Sequence, residues 1–156
     1  MSYDFNADDV FEMAEQMERN GGAFYRKAAE RSFLSAEEKQ MLLELAGMED
    51  QHEVQFQAMR RELSGDEKAA TVFDPDGEAV LYLRALADTR VFFEKEMDTT
   101  SLAAILKAAI EAEKDSIVFY LGMKESVPAD MGKDRLDAII KEEMGHVRLL
   151  SQKLAT

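Results

Sequence analysis

Four long segments of the chain repeat apolar residues every three or four positions, the spacing that places them on one face of an α-helix. The segments run over about residues 8–31, from just after Ser35 to about residue 63, over about 99–125, and over about 132–154. The second follows Ser35-Ala36-Glu37-Glu38, a capping-box pattern that predicts a helix start. The pattern therefore predicts an all-α chain with four long helices.

The connections between these segments differ in length. Short stretches near residues 32–35 and 126–131 separate the first helix from the second and the third from the fourth, so each pair is expected to form a hairpin. The long stretch 64–98 contains the turn signal Asp74-Pro75-Asp76-Gly77 and a short predicted helix over about 78–89. We predict a single domain over residues 1–156. Its hairpins, about 8–63 and 99–154, form a ferritin-like antiparallel four-helix bundle with one long crossover that contains the short extra helix.

The two hairpins are similar in sequence. Glu18, with a basic residue after it, precedes Phe24-Tyr25, and Glu113 precedes Phe119-Tyr120 at the same offset. The following helix of each hairpin carries Glu-x-x-His, at positions 49–52 and 143–146, and these motifs contain both histidines of the chain. The repeat therefore marks a set of positions with a shared role.

The chemistry of this set is that of a metal site. On a helix, residues three positions apart lie about 60° apart around the axis, so Glu and His can be directed at one point. A Glu from each of two helices and a Glu-x-x-His from each of the other two is the ligand set of di-iron and di-manganese carboxylate bundles. The six candidate ligands are Glu18, Glu49, His52, Glu113, Glu143 and His146.

The positions of these residues support the same prediction. Glu49, Glu113 and Glu143 occupy positions in the apolar stripes of their helices where Leu would be expected. Glu18 lies next to the stripe of the first helix. Buried carboxylates are very costly unless a cation compensates them. We expect Glu49 and Glu143 to bridge two ions, with Glu18 and Glu113 as terminal ligands. Carboxylate and imidazole ligands suit iron, with manganese as the alternative.

Composition narrows the partners. The net charge of −13 argues against nucleic acid and anionic membranes as partners. The absence of cysteine excludes disulfides and iron–sulfur clusters. Residues 1–9 are polar and acidic and no apolar run approaches the length of a membrane span, so we expect a cytoplasmic protein.

Residues around the candidate ligands are also of interest. Tyr25 and Tyr120 lie two helical turns after Glu18 and Glu113, where they could hydrogen-bond a ligand carboxylate or pack as core residues. Gly21, Gly22 and Gly145 lie inside helices. We expect them to allow close helix packing, and the alternative at Gly145 is room for a small oxidant. The apolar cluster Val91-Phe92-Phe93 could cover the bundle or form a subunit interface.

Taken together, these motifs resemble the rubrerythrin-type branch of the ferritin-like superfamily over nearly the whole chain. The resemblance rests on Met17-Glu18, Phe24-Tyr25, Met48-Glu49-Asp50-Gln51-His52, Glu113-Lys114-Asp115-Ser116, Phe119-Tyr120 and Glu142-Glu143-Met144-Gly145-His146. It implies a non-haem di-iron centre and peroxide reduction, ferrous oxidation or iron storage. Rubrerythrins proper have an extra Glu where this chain has Ser116, and a rubredoxin-like domain with cysteine-bound iron, for which this chain has no cysteines.

These features lead to three alternative functions. The first is an oxidoreductase, acting in oxidative stress, that uses two bound Fe(II) ions to reduce hydrogen peroxide or O2; its electrons come from a separate donor protein, and a homodimer is expected. The second is an iron-binding or storage protein with ferroxidase activity, which would form a cage. The third is a non-catalytic bundle that senses iron or oxidants, for which binding of a partner would depend on metal.

Overall fold

The computed structural model describes residues 7–63, 78, 81–83, 85, 97–126 and 132–156. These residues include four long α-helices: α1 (Ala7–Ala29), α2 (Ala36–Arg61), α3 (Leu102–Ser126) and α4 (Lys133–Ala155). The described residues contain no strand, and the predicted all-α class is confirmed. None of the helices described combines the length and the apolarity needed to cross a bilayer.

The helix starts follow from local hydrogen bonds. At α2 the predicted capping box is present: Glu38 N donates to Ser35 Oγ at 3.1 Å, and Ser35 N donates to Glu38 Oε2 at 2.8 Å. At α3, Ala104 N donates to Ser101 Oγ at 3.1 Å, which satisfies one of the free amides of the first turn. Each long helix was predicted to within about three residues at each end, close to the usual uncertainty of helix boundaries.

Helices α1 and α2 pack along each other, as do α3 and α4, and α1 also contacts α3. Two apolar clusters divide the core. One contains the first part of α1, the second part of α2 and α3, and the first part of α4; the other contains the opposite parts. The helices of each hairpin are therefore antiparallel, while α2 and α3 run in the same direction. Residue 63 lies in one cluster, and Met97 packs against the other, so the connection between them must cross the length of the bundle.

Part of this connection is described. Residues 78, 81–83 and 85 are helical, within the range predicted for a short extra helix. Leu83 is fully buried in the cluster that holds the start of α1, and a Cβ on Gly122 would lie 2.6 Å from the ring of Tyr82. The glycine in α3 therefore lets this segment approach closely. The predicted turn at 74–77, the apolar cluster 91–93 and residues 127–131 of the second short connection lie outside the described residues.

An ion-pair group fixes the first hairpin at its open end. Arg60, near the end of α2, donates to Asp8 Oδ1 at 2.9 Å and to the buried Glu15 Oε2 at 2.8 Å, both on α1. Charge-assisted hydrogen bonds of this kind hold the two helices in register. The apolar clusters leave a layer at mid-length that neither of them occupies, and all six candidate ligands lie there.

Candidate metal centre

The six residues predicted as ligands come from all four helices and meet in one buried layer. The first hairpin contributes Glu18 from α1 and the Glu49–His52 pair from α2. The second contributes Glu113 from α3 and the Glu143–His146 pair from α4. Their relative exposures are all 4% or less. Because the first and second helices of each hairpin run in opposite directions, their mid-points coincide, and the spacing within Glu-x-x-His then directs both side chains inward.

Potential ligand atoms form two groups, in each of which the atoms lie within 4.8 Å of one another. We name them by their histidines. The His52 subsite contains Glu18, Glu49, His52 and Glu143, and the His146 subsite contains Glu49, Glu113, Glu143 and His146. Glu49 and Glu143 belong to both groups, which is the placement expected of carboxylates that bridge two ions. That these residues bind metal stays a prediction.

Both imidazoles direct Nδ1 toward the carboxylates. His52 Nδ1 lies 3.0 Å from Glu143 Oε1, and His146 Nδ1 lies 3.0 Å from Glu143 Oε2. The rings are nearly parallel, with an interplanar angle of 24° and centroids 5.9 Å apart. Glu143 therefore lies between the two histidines, with one oxygen facing each ring.

The donor atoms of this layer fit a cation. Within the described part of the chain, the buried side-chain atoms that make no hydrogen bond of acceptable geometry, despite the short distances between some of them, are Glu18 Oε2, Glu49 Oε1, His52 Nδ1, both carboxylate oxygens of Glu143, and His146 Nδ1. Buried polar atoms in proteins are almost always paired, because an unpaired one keeps its full desolvation cost. Convergence of these lone pairs on two points is the arrangement that two cations would satisfy.

Two tyrosines hydrogen-bond the terminal carboxylates, and they do so across the bundle. Tyr25 Oη, on α1, donates to Glu113 Oε1 on α3 at 2.6 Å, and Tyr120 Oη, on α3, donates to Glu18 Oε1 on α1. Sequence spacing had placed each tyrosine near the Glu of its own helix. Only the packing of α1 against α3 shows that each tyrosine bonds the Glu of the other helix. The hydrogen bond occupies one oxygen of each terminal carboxylate and leaves the other oxygen directed at the subsites.

Burial acts strongly on the shared carboxyl groups. Burial, together with the charges of Glu113 and Glu18, raises the pKa of Glu49 and Glu143 well above the usual carboxyl range. Burial also raises the pKa of Tyr25, and the neighbouring Glu113 carboxylate adds to the effect, so its hydroxyl stays protonated and acts as a donor.

The pKa values of the two imidazoles are also raised, although burial by itself would lower them. Burial by itself disfavours the imidazolium, but the Glu143 and Glu18 carboxylates outweigh it and raise the pKa of His52 to about 11. In the same way, Glu113 and Glu143 raise the pKa of His146 to about 9. Without a cation the layer therefore retains protons, shared among its imidazoles and carboxyl groups, that a metal ion must displace.

The glycines of the helices have different surroundings. A Cβ on Gly21 would lie 3.1 Å from Glu49 Oε2, and one on Gly22 would lie 3.2 Å from Asp50 Oδ1, so both allow α2 to approach α1 closely. At Gly145 no described residue comes within 4 Å of such a Cβ. Close packing, which we expected at all three, is therefore not made at Gly145 by any described residue.

Sequence reasoning missed two residues that contact the histidines. His52 Nε2 lies 2.5 Å from Glu142 Oε2, and His146 Nε2 lies 3.4 Å from Met48 Sδ. Each directly precedes a shared carboxylate, so Met48 and Glu142 occupy equivalent positions of the repeat. Aligning the two hairpins could have drawn attention to the pair, but only the packing shows that each reaches the histidine of the opposite helix.

The sequence matches the profile of the rubrerythrin family over residues 9–154. No curated protein gives a significant sequence match. Among solved structures, the chain is similar to a Thermotoga maritima protein proposed to be a ferritin-like diiron-carboxylate protein. The sequences are 27% identical, the TM-score is 0.72, and the alignment covers 97% of this chain and 95% of the other.

Proposed function

This chain belongs to the rubrerythrin family, and we propose that it is a non-haem di-iron oxidoreductase that reduces hydrogen peroxide or O2. The observation that carries the proposal is the pair of overlapping subsites, which share Glu49 and Glu143 and whose unpaired lone pairs converge in a buried layer. Such a set would hold two metal ions.

The residues of each subsite would have distinct roles. Glu49 and Glu143 would bridge the ions, Glu18 and Glu113 would each bind one ion, and each imidazole would bind through Nδ1. Two ferrous ions held there would supply one electron each, enough with two protons to reduce hydrogen peroxide to two waters or O2 to hydrogen peroxide.

The chain itself supplies order and enclosure. The Tyr25 and Tyr120 hydroxyls hold the terminal carboxylates in place across the bundle. Apolar clusters on both sides of the layer, with fully buried Phe56 and Leu42 among their members, separate it from bulk water. Fixed ligands in a water-poor layer keep their geometry while the charge of bound ions changes.

Stopped-flow oxidation tests this function. The protein is loaded anaerobically with Fe(II) and mixed in parallel with hydrogen peroxide and with O2. We expect two ferrous ions to be oxidised per chain, faster with peroxide than with O2. Glu143→Gln should abolish the reaction, because Glu143 belongs to both subsites, whereas Glu44→Gln, an exposed acid on α2, should not. Oxidation no faster than that of free ferrous ion would overturn the proposal.

Ser116 favours a second candidate, an iron-binding or storage protein with ferroxidase activity. Its Oγ donates to the Ala112 carbonyl one turn earlier at 3.1 Å, and it belongs to neither subsite formed by the described residues. The position that carries an extra Glu in rubrerythrins proper therefore offers no carboxylate here. Faster oxidation by O2, together with a cage of many subunits in light scattering, would support this candidate. A monomer or dimer would count against it.

The remaining partners are part of the same proposal. The 156 residues contain no cysteine and hold no thiolate-bound iron that could pass electrons to the site, so we propose a separate protein as donor. We also propose a cytoplasmic homodimer. Sedimentation at several concentrations measures the assembly, and a monomer throughout would contradict the dimer.

A further inference from the structure

The two histidines face the carboxylate layer in the same way but differ in their outer contacts. Both direct Nδ1 inward, each 3.0 Å from an oxygen of Glu143. On the outer side, Nε2 of His52 meets a carboxylate oxygen of Glu142 at 2.5 Å, whereas Nε2 of His146 meets the thioether sulfur of Met48 at 3.4 Å. The difference lies outside both ligand sets.

The geometry behind these contacts is a repeat. Met48 precedes Glu49 on α2 and reaches the histidine of α4, and Glu142 precedes Glu143 on α4 and reaches the histidine of α2. Each subsite also has the same inventory of three Glu and one His. The two subsites therefore match in their ligand types but differ in the residue that contacts the outer nitrogen of the histidine, Glu142 in one and Met48 in the other.

The two contact groups do different things to an imidazole. An ionised carboxylate is an acceptor only, so it keeps the proton on Nε2 and leaves the Nδ1 lone pair free for a metal. It also fixes the ring orientation and makes the ligand nitrogen a better electron donor, and loss of such a partner typically costs about 10–100-fold in metal affinity. A thioether sulfur is a weak acceptor and fixes the ring much less.

We propose that Glu142 is a positioning residue that makes the His52 subsite the tighter of the two, so that this subsite fills first. The inference rests on the proposed function, since it needs a metal in the layer. It assigns a role to a residue that is not a ligand. Because the Glu142 side chain is 46% exposed and water competes for it, the effect should fall near the lower end of the range, about 10-fold.

The test measures Co(II) binding alone, by absorption and calorimetry, in proteins that keep one histidine each. His146→Ala leaves the His52 subsite as the complete one, and His52→Ala leaves the His146 subsite. Glu142→Gln should weaken Co(II) binding about 10-fold in the His146→Ala protein and leave it unchanged in the His52→Ala protein. Glu44→Gln, which removes the same charge elsewhere, should change neither.

A gain of binding sharpens the test. Met48→Glu in the His52→Ala protein places a carboxylate beside His146 and should tighten Co(II) binding there. Equal weakening of both single-histidine proteins by Glu142→Gln would show a general charge effect and overturn the inference, as would no weakening in either.

Measurements on the protein that keeps both histidines distinguish the proposed function from the positioning role of Glu142. They also provide a test if the single-histidine variants fail to fold. The unsubstituted protein should bind two Co(II) ions in two resolved steps, and Glu142→Gln should merge them. Two ions bound with steps unaltered by Glu142→Gln would overturn the positioning role alone. Failure of the unsubstituted protein to bind Co(II) would overturn the proposed function as well.

Discussion

Near the ends of the bundle Leu42 and Leu136 are fully buried among apolar side chains, whereas at mid-length on the same helices Glu49 and Glu143 are buried among other carboxylates. Apolar burial stabilises the fold at about 25 cal/mol per Å². Burial of carboxylates costs stability until a cation or a proton compensates the charge. The apolar clusters at the two ends therefore stabilise the bundle, and their stabilisation offsets the cost of burying the carboxylates in the middle layer.

The largest effect should come from an end cluster. Leu42→Ala should lower the free energy of unfolding by about 2–5 kcal/mol, because it removes a fully buried side chain and leaves a cavity. Urea denaturation measures the loss. The number of Co(II) ions bound per chain should not change, since Leu42 lies in neither subsite. A change in that number would mean that the two regions are not separable.

In the middle layer, removing a buried carboxyl group should raise the free energy of unfolding, not lower it. Glu49→Leu should stabilise the metal-free protein by about 1 kcal/mol or more, because burial and the neighbouring carboxylates all disfavour the charged form of this acid. The same substitution should abolish metal binding. Glu44→Leu, on the exposed face of α2, is the matched control and should change stability little. Destabilisation by Glu49→Leu would show that the carboxyl group stabilises the metal-free fold and would contradict this prediction.

The pH dependence should also separate the regions. In the metal-free protein the pKa of His52 is about 11 and that of His146 about 9, both above the unfolded value of 6.5. Between pH 6.5 and these raised pKa values, the folded state holds more protons than the unfolded state. The stability that the two histidines contribute is therefore fully present below pH 6.5 and is lost as the pH rises toward 9 and 11. The raised pKa values of Glu49 and Glu143 act in the same direction.

Urea titrations of the metal-free protein at pH 6.5 and pH 9 measure this loss. We expect a loss of more than about 1 kcal/mol, since one pKa unit corresponds to about 1.4 kcal/mol. With Co(II) bound, ligand protons are already displaced, so the metal-loaded protein should not lose stability over this range. A metal-free protein equally stable at both pH values would contradict the pKa shifts.

The smallest effect should come from the tyrosines. Tyr25→Phe removes the hydrogen bond to Glu113 and should cost about 1 kcal/mol in the metal-free protein. Because Glu113 belongs only to the His146 subsite, Co(II) binding should weaken there and not at the His52 subsite. Tyr120→Phe, which frees Glu18, should do the reverse. Calorimetric titration of the single-histidine proteins distinguishes the two, and identical effects would contradict the crossed arrangement.

Local patterns in the sequence determined a large part of this protein. Apolar spacing located the four helices, the Ser35 capping box fixed one helix start, and the two Glu-x-x-His motifs with Glu18 and Glu113 picked out the six residues that meet in the buried layer. These features could be predicted because each depends on residues within one helix, where a turn of 3.6 residues sets which side chains share a face.

Only the tertiary structure decided the contacts between helices. Tyr25 hydrogen-bonds Glu113 and Tyr120 hydrogen-bonds Glu18, while Glu142 lies beside His52 and Met48 beside His146. At Gly145, where we expected close packing, no described residue lies within 4 Å of an added Cβ. The physical reason is that a side chain's partner on another helix depends on the direction, rotation and axial offset of both helices. Those quantities are set by packing of the whole core, and no short stretch of sequence contains them.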